Sequence, residues 1–447
     1  MLCHDTELPR RTTLSAPTPL LQSHPLRSSL NDEAHARPPA AIPSPARLST
    51  LALLCEPGAP GQREALARLA AELGLPAPEA NAGHYQGSNG TLTLRWSLHT
   101  EFVRLTVIVP GAGSGGFDDT ALDAVPAALL SALLGDVLVA AHALLLADDD
   151  ALPAAPRAIA ARWFAGHELI GAELGDGNGV AYTDLRLHPD ARLAVGFSRF
   201  VLVDRRMGPR QSGRMLQRLF EIETYRMLAL LALPLAKQQM ARLDELGIAL
   251  KAVTARLNAA DSRDDTLLAE FSALSAELEN LVAQTQYRFS ASHAYYQLIE
   301  RRIGELRERR IGGLQPFCEF VEHRLAPAMD TCLTVTRRQD RLTARLQRAT
   351  ALLRTRVEVE GEVQNRALLA SMDRRAGLQL RLQETVEGLS VGVLTYYAVG
   401  LVGYAAKAAK AAGLHLNAEL ITGAAIAPVA FAVWWGMRQV RRRLGHA

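Results

Sequence analysis

Aromatic side chains are scarce in this sequence. Phe, Tyr and Trp make up 5% of 447 residues, and Ala and Leu dominate instead. That composition favours long helices over sheet. An excess of one charge sign is missing too. The net charge is +3, with 49 basic and 46 acidic residues, which argues against a dedicated nucleic-acid binder. Cysteine is rare. Cys3, Cys55, Cys318 and Cys332 fall in separate segments and form no C-x-x-C pair, the pattern of a reduced chain facing the cytoplasm. The first 25 residues contain no apolar h-region, so no secretory signal is expected and the large soluble part is expected to stay in the cytoplasm.

The usual signatures of chemistry are incomplete. "GAGSGG" (111–116) matches G-x-G-x-x-G after a strand, but Pro110 precedes it, and Asp118 and Asp119 follow where a phosphate would have to sit. It reads as a loop ahead of a capped helix. "GHELIG" (166–171) begins like a zinc-protease helix, yet Gly171 stands where the second histidine belongs. No Ser or Cys has a recognisable nucleophile signature. The expectation is therefore a chain that is not an enzyme, with no catalytic residue, cofactor or metal.

What is present divides into five parts. Residues 1–23 are rich in Pro, Ser and Thr and read as disordered. Residues 24–208 read as an α+β domain. Within it, 47–54 is a buried strand, and 61–75 is a helix with Leu66, Leu69 and Leu73 on one face. Residues 91–100 and 101–110 form a hairpin with Leu92, Leu94, Trp96 and Leu98 on one side. Residues 121–146 read as an Ala/Leu helix, and 167–204 hold three more strands, with 175–179 as a turn.

From 209 to 387 the strand signals stop. Three long helices are expected at 212–258, 264–310 and 328–387, the last about 90 Å long if unbroken. Leu267, Phe271, Leu274, Leu278 and Leu281 repeat at 4-3-4-3 spacing, and Leu342, Leu346, Ala349 and Leu353 at 4-3-4, as coiled-coil seams do. Pro316 and Pro327 break the approach to the third helix. Residues 336–356 carry seven arginines against Asp340 alone. They read as partners of Asp264, Asp265, Glu270, Glu277 and Glu279 on the second helix, with a grip on anionic lipid or nucleic acid as the alternative. A coiled coil of this kind allows a homo-oligomer.

Residues 388–406 and 420–437 carry no charge, and each can cross a bilayer as one arm of a hairpin spanning 388–437. Trp434 and Trp435 sit at the end of the second span, as interfacial aromatics do. Arg374, Arg375 and Arg381 precede the hairpin, and Arg438 with Arg441, Arg442 and Arg443 follow it in the basic tail, 438–447. Only Lys407 and Lys410 lie between the spans, so both termini are expected in the cytoplasm. Tyr396 and Tyr397 lie near mid-membrane, where their hydroxyls want polar partners, and Gly388 with Gly392 would allow close packing nearby.

The densest polar stretch is "HPLRSSLNDEAHARPP" (24–39). Asn31 reads as an N-cap, with Asp32 and Glu33 in the first turn, Arg37 near the end, and Pro38-Pro39 as the stop. His24 and His35 stay outside that account. The alternative is a ligand or partner contact built from His24, Asn31, Asp32, Glu33, His35 and Arg37.

The same stretch resembles the signature of a bacterial family of uncharacterised membrane-anchored proteins, catalogued as domain of unknown function 3422. "RWSLHTEF" (95–102), "RLFEIETYRMLALLALP" (218–234), the segment 352–391 and the closing hairpin resemble that family too. The resemblance implies a membrane anchor and brings no activity, substrate or catalytic residue. In architecture alone the chain is similar to magnesium channels of the CorA type, but it has "GYAAKAAKAAG" (403–413) where those carry Gly-Met-Asn. The expectation is a multi-pass protein of the bacterial inner membrane acting as scaffold or sensor, with the lipid bilayer as its one assigned partner. The alternative is an oligomeric channel that lacks the channel motif.

Overall fold

The computed structural model describes residues 21, 23–28, 30–31, 39–56, 61–147, 152–153, 155–257, 263–412 and 417–444. The described residues fall into two compact units. One lies within 1–253 and 270–346, the other within 254–269 and 347–447.

The first unit is built on a mixed sheet. Its strands are β1 (Ala46–Leu54), β2 (His84–Ser88), β3 (Thr93–Leu98), β4 (Phe102–Pro110), β5 (Asp136–Leu146), β6 (Ile170–Leu174), β7 (Gly179–Thr183), β8 (His188–Asp190), β9 (Leu193–Asp204) and β10 (Arg309–Arg310). They are ordered β10-β6-β7-β9-β5-β1-β4-β3-β2, with β8 pairing to β9 alone. β5 and β9 are parallel, and the other pairs are antiparallel.

Three short helices, α1 (Gln62–Glu72), α2 (Ala127–Ser131) and α3 (Pro156–Trp163), lie between the strands. Leu66, Leu69 and Ala70 of α1 pack with Leu51, Leu94, Trp96 and Val107. Ile159, Ala160 and Trp163 of α3 pack with Leu144, Val180, Tyr182 and Val201. Each fully buried aliphatic or aromatic side chain contributes about 1.5–3 kcal/mol relative to exposure. α4 (Gly208–Leu230) also packs on the sheet, where Phe220 meets Phe200 edge-on at 6.0 Å and Glu223 accepts a 2.7 Å hydrogen bond from the Ser198 hydroxyl.

The expected helix at 121–146 is overturned. Residues Ala121–Ala124 form a 3-10 turn capped by Thr120 and Asp123, and α2 is only five residues long. Asp136–Leu146 is instead the strand β5, between β1 and β9 at the middle of the sheet. From Val139 to Leu146 every residue is buried. A strand covered on both faces loses the alternation that marks a strand, so an Ala/Leu run there reads as a helix. The 167–204 segment holds four strands rather than three. The short β8 lies beside β9 in a second pairing. Residues 111–116 form a loop, as expected, and Arg47 pairs there with Asp119.

The helical part follows as α5 (Ala232–Leu257), α6 (Asp264–Leu306), α7 (Phe317–Arg324), α8 (Ala326–Ala411) and α9 (Ala418–Leu444). The expected helix at 212–258 is two helices. α4 ends at Leu230, and Pro234 sits in the first turn of α5, the position where its missing N–H removes no helical bond. Pro316 caps α7, and Pro327 opens α8. α8 does not stop before the first apolar span but runs through it, 86 residues in all. Lys407 and Lys410 therefore lie on this helix and not in a loop.

The seams hold three helices in the first unit. Leu243, Leu246 and Leu250 of α5, Phe271 and Leu278 of α6, and Leu342 and Leu346 of α8 are buried. The arginine pairing follows the expectation at one pair, Arg356 with Asp264, and departs from it elsewhere. Arg338 pairs with Asp244 of α5, and Glu277 of α6 pairs with Arg242 of α5. The helix absent from the two-helix reading supplies both partners. In the second unit, Leu267, Ala349 and Leu353 are buried, and Arg356 reaches Asp264 at 3.5 Å.

Candidate functional site

In the first unit, the clearest gathering of ionisable side chains lies beside the β5–β9 pair. β9 carries Arg199 opposite His142 of β5 in the parallel register. Two polar clusters form around this pair.

In one, the His142 ring is stacked on Phe197 at 4.1 Å. Its Nδ1 lies 2.8 Å from the Ser49 hydroxyl, and its Nε2 lies 3.3 Å from Asp190 Oδ2. Ser, His and Asp in one chain have the composition of a nucleophilic triad. Here, however, Ser49 is 0% exposed and His142 3%, and the serine bonds Nδ1 while the carboxylate bonds Nε2. That is the reverse of the ring assignment in the serine-protease arrangement, and no substrate reaches the hydroxyl. Burial pushes the His142 pKa down against the Asp190 hydrogen bond. Arg192 grips Asp190 through two nitrogens at 2.9 and 2.6 Å and holds its carboxyl far below the usual range, with burial opposing. Arg192 also donates to Thr120 and Asp123, locking the loop to the 3-10 turn.

In the other cluster, Asp184 follows β7 and its side chain is fully covered. Its Oδ2 lies 2.8 Å from both His167 Nδ1 and His188 Nε2, and its Oδ1 accepts the Arg186 N–H at 3.2 Å. Burial pushes this carboxyl up, but the hydrogen bonds outweigh burial and hold it below its ordinary value. His188 is buried, while the His167 side chain is 34% exposed. Left-handed backbone flanks the cluster. Leu185 has φ 50°, and Ala165 and Gly166 before His167 have φ 52° and 78°. Gly196 has φ 94°, and a side chain there would strike the His188 carbonyl, so the bend that presents His188 needs glycine. His167, Asp184 and His188 could together hold a metal ion, since one ligand atom from each lies within 4.8 Å of the others.

The sequence reading missed this triad. The "GHELIG" pattern calls for a second histidine one helical turn on, where Gly171 stands. His167 is not on a helix, and its companion is His188, brought alongside by the β6–β7 hairpin. The signal was the i, i+4 pair Asp184 and His188, which lies outside any periodic segment.

The opening motif stands differently. Arg27, Ser28, Leu30 and Asn31 are already helical, with Leu30 N–H bonded to the Leu26 carbonyl. Asn31 ends the described part of this turn, and the residues it would cap lie outside the described residues. The capping contact comes from His24, whose Nδ1 accepts the Leu26 N–H at 3.2 Å. Asp32, Glu33, His35 and Arg37 lie outside the described residues.

In the second unit, α8 and α9 each contain a segment long and apolar enough to cross a membrane, the second being Ala418–Val440. Gly403 is the point of approach between them, since a Cβ there would lie 3.1 Å from the Thr422 hydroxyl. Gly388 and Gly392 have open space instead. Tyr396 and Tyr397 are exposed and meet each other edge-on at 5.8 Å. Arg438 lies over the Trp434 ring at 5.0 Å, at the end of the second apolar run.

The sequence model of a family described as "Protein of unknown function (DUF3422)" matches residues 22–444. None of the curated proteins and none of the solved structures matches the chain.

Proposed function

The chain belongs to the DUF3422 family, and from its two apolar helices we propose that it is a membrane-anchored protein of the bacterial inner membrane, a scaffold or sensor rather than an enzyme. The observation that carries this reading is the bareness of α8 beyond residue 388 and of α9. Leu389, Leu401, Leu420 and Phe431 are all exposed, and almost nothing in either apolar segment is covered by the other described residues. Surface of this kind calls for lipid.

Trp434 with Arg438 over its ring fits a membrane–water boundary. Arginines flank the outer ends of both apolar segments, which supports cytoplasmic termini. The sealed position of Ser49 and His142 supports a non-catalytic reading. We further propose that copies associate through α8. Leu378, Leu382, Val386, Leu389 and Val393 are exposed at helical spacing, and this stripe runs without interruption into the first span.

Membrane fractionation tests the anchor. The full chain should sediment with membranes and resist extraction at alkaline pH, and Leu394→Arg with Phe431→Arg should release it or prevent its accumulation. Full-length protein recovered folded in the soluble fraction would contradict the reading.

A further inference from the structure

We propose that His167, Asp184 and His188 form a binding site for a borderline transition-metal dication of the Zn²⁺ class. This is independent of the membrane reading and would survive its failure.

The donor set selects the class. Two imidazole nitrogens and one carboxylate oxygen suit Zn²⁺ and its transition-metal neighbours. They suit Mg²⁺ and Ca²⁺ poorly, since those ions take mostly oxygen ligands. With three protein ligands, a tetrahedral ion keeps its fourth position for water.

The cluster must rearrange to take an ion: the two imidazole nitrogens, now within 4.8 Å of each other, draw together as the contacts to Asp184 open. Bonds of about 2.0–2.1 Å space the ligand atoms of a tetrahedron about 3.3 Å apart. Both N···O contacts are now 2.8 Å, so an ion entering the cluster opens each by about 0.5 Å. In exchange, two N–H···O bonds to one oxygen become three bonds to the metal. Each imidazole must present a lone pair at the coordinating nitrogen, so any proton there moves to the other ring nitrogen or to solvent.

Two features make the cluster more than an internal hydrogen-bonded group. Asp184 and His188 are buried and held in place, the first by the Arg186 N–H and the second by the bend at Gly196, while His167 stands on the rim and gives an ion its way in. Arg199 works in the opposite sense. Its charge lies within electrostatic reach of Asp184, although its guanidinium donates to the Trp163 carbonyl at 2.9 Å and lies over Phe117. It raises the cost of a second cation, so the site should be moderate in affinity.

The test is titration of tag-free, chelator-treated full-length protein in detergent with ZnCl₂, read by calorimetry, and with CoCl₂, read by visible absorption. We expect one equivalent bound, the absorption of low-coordinate Co²⁺, and no displacement by millimolar Mg²⁺. His167→Ala, at the exposed rim, should weaken Zn²⁺ binding at least about tenfold while the metal-free protein still unfolds cooperatively, at a temperature lowered by the loss of one hydrogen bond to Asp184. Asp184→Asn should weaken it as well. Absence of saturable one-to-one binding in the unmodified protein would overturn the proposal. So would Zn²⁺ binding of unchanged affinity in both His167→Ala and Asp184→Asn.

Discussion

Gln339 of α8 donates a hydrogen bond to the Thr285 hydroxyl of α6 across 3.0 Å, with both side chains buried. The same amide reaches Gln239 of α5 at 3.4 Å. One polar layer thus crosses three helices whose other buried positions are mostly aliphatic. A layer of this kind fixes axial register, since sliding a helix leaves the amide unpaired in the core.

Gln339→Ala should therefore lower stability by about 1–3 kcal/mol, because Gln239 loses its partner while remaining buried. Gln339→Leu leaves Gln239 equally unpaired but fills the space that Ala leaves empty, so it should cost less. Thermal unfolding of the two variants in detergent, followed by circular dichroism, checks the order. Leu costing more than Ala would contradict the register argument.

Gly196→Ala should destabilise the first unit by more than about 2 kcal/mol. It adds a left-handed penalty to a clash with the His188 carbonyl. The histidine NMR signals should show displacement of His188. A variant with unchanged stability would mean that the bend is not under the constraint described.

Acid should weaken the first unit through two groups in one cluster. The folded pKa of Asp190 is depressed, so its contribution is complete above the unfolded value of about 3.9 and is lost as pH falls from there towards the folded value. His142 is depressed by burial. Below about 6.5 the unfolded chain takes up a proton that the folded chain refuses, and stability falls. His142→Asn should flatten the stability profile between about pH 6.5 and 5, and Asp190→Asn below about pH 4. Unfolding temperatures measured against pH decide this, and parallel profiles for variant and unmodified protein would refute it.

Self-association through α8 predicts that Leu378→Glu with Leu382→Glu lowers the oligomer mass in detergent, measured by light scattering. Both side chains are exposed, so the unfolding temperature of the first unit should not change. An unaltered mass would remove this stripe from the interface.

The legible parts of the sequence were those with a period. The β3–β4 hairpin alternates and was readable to within two residues, because one face meets the core and the other does not. The seam at Leu342, Leu346, Ala349 and Leu353 was readable because one stripe is buried and the rest is wet. β5 was not, because burial on both faces erases the period. The break between α4 and α5 rested on Pro234, which the apolar repeat around it concealed. Among candidate site residues, His167 was noticed and set aside, while Asp184 and His188 carried no local signature. Their juxtaposition depends on the turn between β6 and β7 and on the bend at Gly196, which are tertiary facts. The opening motif attracted notice by density of polar groups, and density does not distinguish a capped turn from a site.

The central claim is a hairpin anchor with both ends of the chain in the cytoplasm. It is tested most directly by enzymatic reporters fused after Ala447 and inserted at Asn417, in the connection between α8 and α9. The account predicts cytoplasmic activity at the C-terminal fusion and periplasmic activity at the insertion. Periplasmic activity after Ala447, or cytoplasmic activity at both positions, would contradict it.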